Sequence, residues 1–572
     1  MSRRVIAPKF DTKECAKMKR WTRMLAILLS LMMLLSLTAC GEKPADPLVR
    51  ELLGDETMAI VQKDYPSPLE YYRAVEQRRA QELMSFRNLT EYATALQKGF
   101  SRTELLLSLD QSALDQELRD YLTESVGMDL SWLKSLGFGY AVGMQEDLRQ
   151  VDMILRLNDT DLLSLTGIVD PATMDVYASV PLLNEDWLKF NYLDLADQIG
   201  APADLQELSA AMTFSPEGLS SLILRYHELV LNNVEKVELT DGTASAGGIE
   251  NKCSIASVKL EGEDLLRVAK VLLDTAEQDE ELEKLAYFIA GRTEEFYGSE
   301  EDFHQYYLEW IQSTREHLES TTPEDMDKAA LMDVYIDPKG EIQGRRLEIQ
   351  SDGETDALFS YLITRDGDKL GLESEFSTHS DGSSSFSSGD SHSWSHDIEA
   401  AISGSGSLTQ EGKLRGSFLI RTHTVDDWDG KREELDIPVF TANVEGSFGK
   451  EGFLGDVELI PTQELLDKAC EELGEDTPEP VLGLVRSLTL FASNRSTQEK
   501  LDLRCDVRSN GKDLLTLTVL GESQEPFAIT APSDSVDLDT WVGSIGFATL
   551  SKIMNKLMEA GMPSSILNGI LG

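Results

Sequence analysis

Hydrophobic and polar positions repeat with two different periods along this chain, and the changes of period divide it. Ser67-Pro68 reads as an N-cap followed by proline at the first helical position. Tyr72, Val75, Leu83, Phe86 and Leu89 then continue an apolar helical face over 67–98. A strand is predicted over 104–109 and a second helix over 113–136. From Gly137 the period becomes two. The pieces GFGYAVGM, VDMILRLN, LLSLTGIV and TMDVYASV are separated by turn clusters such as Asn158-Asp159 and Asp170-Pro171, which predicts a four-stranded antiparallel meander. Helical spacing returns over 184–232, 262–292 and 303–320, with one strand pair over 235–260.

A second β region runs over 329–530. It is punctuated by Asp337-Pro338-Lys339-Gly340, Asp366-Gly367, Asp381-Gly382, Glu411-Gly412, Asp429-Gly430, Glu451-Gly452 and Asn510-Gly511. Asp-Gly and Asn-Gly between alternating segments are strong hairpin signals, so an extended antiparallel sheet is expected, interrupted by a helix at 462–474. Within it, the serine-rich stretch 377–396 fits either a disordered segment or, by its alternation through Phe386, His392, Trp394 and His396, solvent-facing hairpin strands, the reading preferred. A helix over 545–560 stopped by Gly561, and a short one capped at Ser564, follow. The expected fold class is α+β: helices packed on antiparallel β-meander sheets, in two α+β modules over 50–325 and 326–572.

Composition narrows the function. Apolar residues make up 41% of 572, enough for ordinary cores. The chain has 52 basic and 101 acidic residues, a formal charge of −49. That imbalance argues against nucleic acid, whose phosphates need cationic partners, and against lying flat on anionic headgroups. The cysteines after position 40 are Cys253, Cys470 and Cys505. Cys505 alternates with Leu501, Leu503 and Val507 and reads as core-facing, while Cys470 lies with Leu466 and Leu473 on the buried side of a helix. Free buried thiols are expected, not a disulfide framework.

The N-terminal region alters the picture most. An apolar run over 24–39, MLAILLSLMMLLSLTA, follows Lys19, Arg20 and Arg23. Positive flank, short apolar core and small-residue end make a secretory signal peptide, and 16 residues fall short of the ~20 a membrane span needs. The run ends in Leu37-Thr38-Ala39-Cys40-Gly41, which resembles the lipobox of bacterial lipoproteins at every position. The resemblance implies cleavage before Cys40, a diacylglyceryl group on its thiol, and a chain held on the outer face of the cytoplasmic membrane. Residues 41–49 would be the tether. After processing, 44 basic and 99 acidic residues remain, a formal −55. Residues 1–17 do not look like a signal n-region, and a start at Met18 would give an ordinary one, MKRWTRMLAILL. In layout the whole chain resembles uncharacterised surface lipoproteins of Gram-positive anaerobes.

Catalytic chemistry finds little support. HExxH, G-x-S-x-G, P-loop and Rossmann glycine patterns are absent from the sequence. Ser131-Trp132-Leu133-Lys134 matches the SxxK of penicillin-recognising enzymes but lacks their K-[TS]-G strand, and reads as a helix turn with an exposed Lys134. His392 and His396 have metal-ligand spacing, with His379 and Asp390 nearby; on a strand they would stand about 13 Å apart, so exposed polar residues are expected. Asp426-Asp427-Trp428-Asp429-Gly430 fails the EF-hand pattern, with Val425 and Asp436 at the first and twelfth ligand positions. The acidic run 274–283 reads as solvated surface. No cofactor, metal or catalytic residue is assigned.

The expectation is a non-catalytic binding or scaffold protein whose one assigned partner is the membrane, through the lipid on Cys40. Three alternatives are a carrier of lipid or another apolar ligand in a sheet–helix hollow, a cell-wall or glycan hydrolase, and the substrate-binding lipoprotein of an ABC importer. The last would need parallel βαβ lobes. Replacing Cys40 by Ser is expected to abolish palmitate labelling and lipoprotein cleavage, read by metabolic labelling and membrane fractionation. Unchanged processing and membrane retention would remove the anchor assignment.

Overall fold

A computed structural model describes residues 59–567, apart from 85–99, 127–130, 146–147, 193–215, 291–299, 324–327, 352, 386–390, 410, 429–430, 450–451, 475–476, 498–499, 526 and 565. In chain order, helix α1 (Pro68–Met84) precedes β1 (Phe100–Leu109) and α2 (Gln116–Val126). Strands β2 (Ser135–Met144), β3 (Arg149–Leu157), β4 (Thr160–Asp170), β5 (Asp175–Val180) and β6 (Asn184–Asn191) lead to α3 (Pro216–Asn233). The hairpin β7 (Glu238–Ala246) and β8 (Ile249–Glu261) is followed by α4 (Gly262–Ala276), α5 (Glu280–Ala290) and α6 (Glu300–Ser320). Then come β9 (Lys328–Ile336), β10 (Ile342–Ser351), β11 (Glu354–Asp366), β12 (Lys369–Ser385), β13 (Ser391–Leu408), β14 (Lys413–Trp428), β15 (Lys431–Gly449) and β16 (Gly452–Pro461). The remainder is α7 (Gln463–Leu473), α8 (Glu479–Ser487), β17 (Leu488–Asn494), β18 (Lys500–Ser509), β19 (Lys512–Gln524), β20 (Ser535–Val536), α9 (Leu538–Gly543) and α10 (Phe547–Glu559). The class is α+β, with ten helices among the described residues and mostly antiparallel strands.

Local signals place many boundaries. Ser67 Oγ accepts the Glu70 N–H at 3.2 Å and starts α1. Asn510 and Gly511 both have positive φ, 52° and 75°, so the β18–β19 turn takes the two left-handed residues that a type I′ hairpin requires. Three expectations fail, each where tertiary contacts override local preference. The helix expected to reach 136 is described over Gln116–Val126 and has given way to non-helical chain by Ser131. Residues 131–134 form a turn, held by Asn158, whose Oδ1 accepts the N–H of Lys134 at 2.8 Å and whose Nδ2 donates to the Trp132 carbonyl. Residues 184–191 are strand β6 and not helix, because Val176 of β5 pairs with Phe190 and Leu188 is buried beside Trp541. Asp381 and Gly382 are not a turn: they lie inside β12, opposite Ser395 and Trp394, where a long hairpin ladder outweighs two residues' turn propensity.

The chain forms two compact units. Among the described residues the first draws on the parts of the chain within 59–84, 220–279 and 306–439. Its strands run β7 to β14 in consecutive antiparallel order. Period-two alternation puts Ala256, Val258, Val334 and Ile336 on one face, where Tyr71, Tyr72 and Val75 of α1 and Leu231 and Val234 of the α3 end bury them. The β7–β8 hairpin tip folds over onto β11 and β12. Thr364 Oγ1 donates to the Ala246 carbonyl at 2.8 Å, and a Cβ on Gly371 would lie 2.0 Å from that oxygen, so only glycine permits the approach.

One charged pair sits inside this core. Arg345 of β10 lies in register between Val334 and Tyr361, on the apolar face. Its two terminal nitrogens each donate to a Glu76 carboxylate oxygen at 2.7 Å, and His227 Nε2 lies 3.2 Å from the second oxygen. Glu76 is fully buried. Burial pushes its carboxyl upward, but the Arg345 charge and the hydrogen bonds from His227 and Arg345 outweigh it and hold the pKa at about 2.

The second unit comprises Arg87–Leu219, Glu280–Gln305 and Phe440–Gly572. Its strands follow the order β16-β17-β18-β19-β1-β2-β3-β4-β5-β6, all antiparallel, with residues 440–449 of β15 on β16 and the short β20 parallel to β6. Helices α9 and α10 cover the β4–β6 end: Trp541 packs with Val180 and Leu188 and donates from Nε1 to the Asp186 carbonyl at 3.1 Å.

Arg345→Met is expected to destabilise the first unit by about 3–5 kcal/mol, since it strands a buried carboxylate; urea unfolding reads this. Because the folded pKa of Glu76 lies below its ordinary 4.5, its stabilisation is complete above that value and fades as pH falls toward about 2. Acid unfolding of Glu76→Gln is expected to lack that component.

Candidate functional site

Strand register builds a broad apolar surface on one face of the second unit. Val444, Val457, Ala492, Cys505, Leu517, Leu107, Leu136 and Leu157 are successive cross-strand partners, one from each of eight neighbouring strands. The adjacent row on the same face is Leu503, Val519, Leu105, Phe138, Leu155 and Leu163. Neither row contains a charged residue. At ~4.8 Å between strands the first row spans roughly 30 Å of sheet. The centre of the surface stays open: Leu136 is 46% exposed, Leu517 40%, and Leu105, Leu107, Phe138, Met153 and Leu155 each exceed a third.

The opposite face carries paired charges among a few apolar residues such as Leu106 and Phe491. Asp506, between Cys505 and Val507 in β18, is buried; it accepts from Arg504 Nε at 2.8 Å and Thr516 Oγ1 at 2.7 Å, with Arg508 at 3.5 Å. Arg508 also stacks over the Phe491 ring, 3.9 Å from its centroid. Arg156 joins Glu104 and Asp161 in the same way. The unit therefore shields carboxylates on one side and leaves leucines open on the other.

This reverses the expectation for Cys505, which is exposed, while Cys253 is buried and Cys470 half-buried. Alternation correctly put Cys505 with Leu501, Leu503 and Val507. What it could not show is that, among the described residues, no helix covers Cys505 enough to bury it.

The remaining candidates do not assemble into chemistry. Cys40, the signal peptide and the tether lie outside the described residues, as do Asp390, Asp429 and Gly430. His379 pairs across the ladder with Asp397, and His396 with Asp426. Because His379 stands opposite Asp397 and its neighbour Ser380 opposite His396, the two imidazoles project from opposite sheet faces. No group of three metal-ligating side chains occurs among the described residues. Ser131 and Lys134 lie in a turn, not on a helix. The acidic run is not wholly solvated: Asp279 is buried and receives Arg225 at 2.6 Å, while Arg315 binds Asp274 at 3.1 Å and Glu277 at 2.7 Å. In the first unit, a pocket of about 400 Å³ at the β7–β8 tip is lined by backbone around Gly247, Gly248 and Gly406 and by Glu250, Asp366 and Lys369, with Lys369 already 3.3 Å from Asp366. Among the described residues no helix is long and apolar enough to cross a membrane.

No protein-family model and no curated protein matches the chain. The class defined by its own geometry is an α+β protein whose second unit carries an open, apolar antiparallel sheet face.

Maleimide is expected to modify Cys505 in the folded protein and Cys253 only after denaturation, since burial also pushes the Cys253 thiol pKa up. Peptide mapping of the labelled sites reads the order, and protection of Cys505 would show that its sheet face is covered.

Proposed function

We propose that this chain is a lipid-anchored envelope protein, held on the outer face of the cytoplasmic membrane through Cys40, that acts by binding and not by catalysis. Its ligand is apolar: an acyl chain laid across the open face of the second unit. The finer organisation belongs to the same reading. There are two modules of helix and sheet, the first closed over its own core and the second presenting its apolar face to a ligand.

The observation that carries this reading is the centre of the register-matched apolar rows, where Leu517, Leu105, Leu107, Leu136, Phe138 and Leu155 stay more than a third exposed across β19, β1, β2 and β3, about 15 Å at ~4.8 Å between strands. That open width is about half the hydrocarbon thickness of a bilayer, the depth of one leaflet, so one acyl chain fits along it. A protein partner is a poorer match. Protein interfaces draw on aromatic and arginine anchors and one hydrogen bond per 100–200 Å², whereas these rows hold a single aromatic residue, Phe138, and no charge. A flexible tail needs only non-directional contact. Covering ~60 Å² more on each of six such side chains is worth roughly 9 kcal/mol gross, from which the ligand's lost freedom subtracts several kcal/mol.

Lipid is expected to co-purify with residues 50–572 and to be detected by mass spectrometry of native extracts. The Leu136→Asp, Leu517→Asp double variant should retain about tenfold less. Reproducible absence of lipid from the unaltered domain sinks the reading.

A further inference from the structure

A lysine stands at one end of the open sheet face. Lys134 precedes β2, and its carbonyl still accepts the Leu109 N–H at 2.7 Å, so the β1–β2 ladder runs one residue beyond Ser135. Alternation therefore sets Lys134 on the face of Leu136, Phe138 and Tyr140. Its backbone is fixed, because Asn158 Oδ1 accepts the N–H groups of Lys134 and Ser135 at 2.8 and 3.1 Å. The side chain is exposed, and no described carboxylate lies within 4.0 Å of its ammonium. The row it heads, Leu109, Leu515, Val507 and Leu490, holds no acid. In the adjoining turns, Asp110 caps the Ser112 N–H at 2.9 Å and Asp161 takes Arg156 at 2.7 Å. An apolar surface thus ends in a cation without a carboxylate.

We propose that the ligand of this face is a single-chain fatty acid whose carboxylate pairs with Lys134. The proposal rests on the preceding reading of the face and adds the chemistry of the ligand's head. Charge complementarity selects it: the lysine offers one unpaired ammonium, and a long-chain carboxylate brings one negative charge and one apolar tail. A carboxylate at Lys134 lays the first methylenes over Leu136 and Leu107, which with Leu517 form the most open row, 46%, 38% and 40% exposed. The far end of β2 is a poorer seat for the head. Arg149 of β3 stands opposite Met144 there, but the next row inward, Val151, Val142 and Ser101, ends in a serine only 4% exposed. That row closes the way from Arg149 to the open centre.

The full chain, reconstituted in phosphatidylcholine vesicles, is illuminated with a diazirine-bearing fatty acid or with the matching diazirine fatty alcohol. Peptide mapping is expected to place about fivefold more adduct from the acid than from the alcohol on β1, β2 and β19, as one partly exposed ion pair would give. Lys134→Met should lower the acid's yield to that of the alcohol and leave the alcohol's unchanged. Lys134→Arg and Arg149→Met should both keep the preference for the acid. Equal yields from acid and alcohol in the unaltered chain overturn the carboxylate pairing and leave an apolar ligand on the face. A preference that survives Lys134→Met, or disappears in Arg149→Met, overturns the assignment to Lys134. A diazirine phosphatidylglycerol that outlabels the acid on the same strands gives the face to a phospholipid instead. Absence of adduct from every probe removes the sheet-face ligand, and the fatty acid with it.

Discussion

Successive side chains on a strand point to opposite faces, and in this protein nearly everything else follows from how that constraint is met. Long antiparallel ladders lock each register, so a one-residue slip would exchange an entire apolar face for a polar one. In the first unit the apolar face is closed by α1 and the end of α3, through Tyr71, Tyr72, Val75, Leu231 and Val234. In the second, α9 and α10 close the β4–β6 end, while the leucines of β1, β2 and β19 stay open. The same alternation therefore produces a core in one unit and a candidate binding surface in the other.

Charge is managed with equal economy. In so acidic a chain, arginines are stationed where a carboxylate must leave water: Arg345 at Glu76, Arg225 at Asp279, and Arg504 with Arg508 at Asp506. Each pairing answers the desolvation of an ionised group with a charge-assisted contact. The remaining negative charge stays on the surface, where self-repulsion favours solubility.

Much of the fold was legible. The Ser67-Pro68 start of α1 and the Asn510-Gly511 turn depend on local backbone chemistry, and local chemistry is written in adjacent residues. The failures share a cause. Residues 184–191 became strand because β5 offered them a partner, and Asp381-Gly382 was absorbed into a ladder because its neighbours on both strands continued to pair. The candidate site was half legible: alternation grouped Cys505 with its leucine neighbours on one face, yet the burial inferred for it was wrong.

The amino-acid order by itself determined the α+β class, the period-two segments, the acidic balance and the lipobox-like Leu37-Thr38-Ala39-Cys40, because each is a property of residues adjacent or nearly adjacent in the chain. Only the tertiary structure decided which apolar face is covered, that Glu76 meets Arg345 across 269 positions, and that Phe547 is left facing outward. Those outcomes depend on which distant element arrives to remove water from a surface, and periodicity records a side chain's direction without recording what stands opposite it.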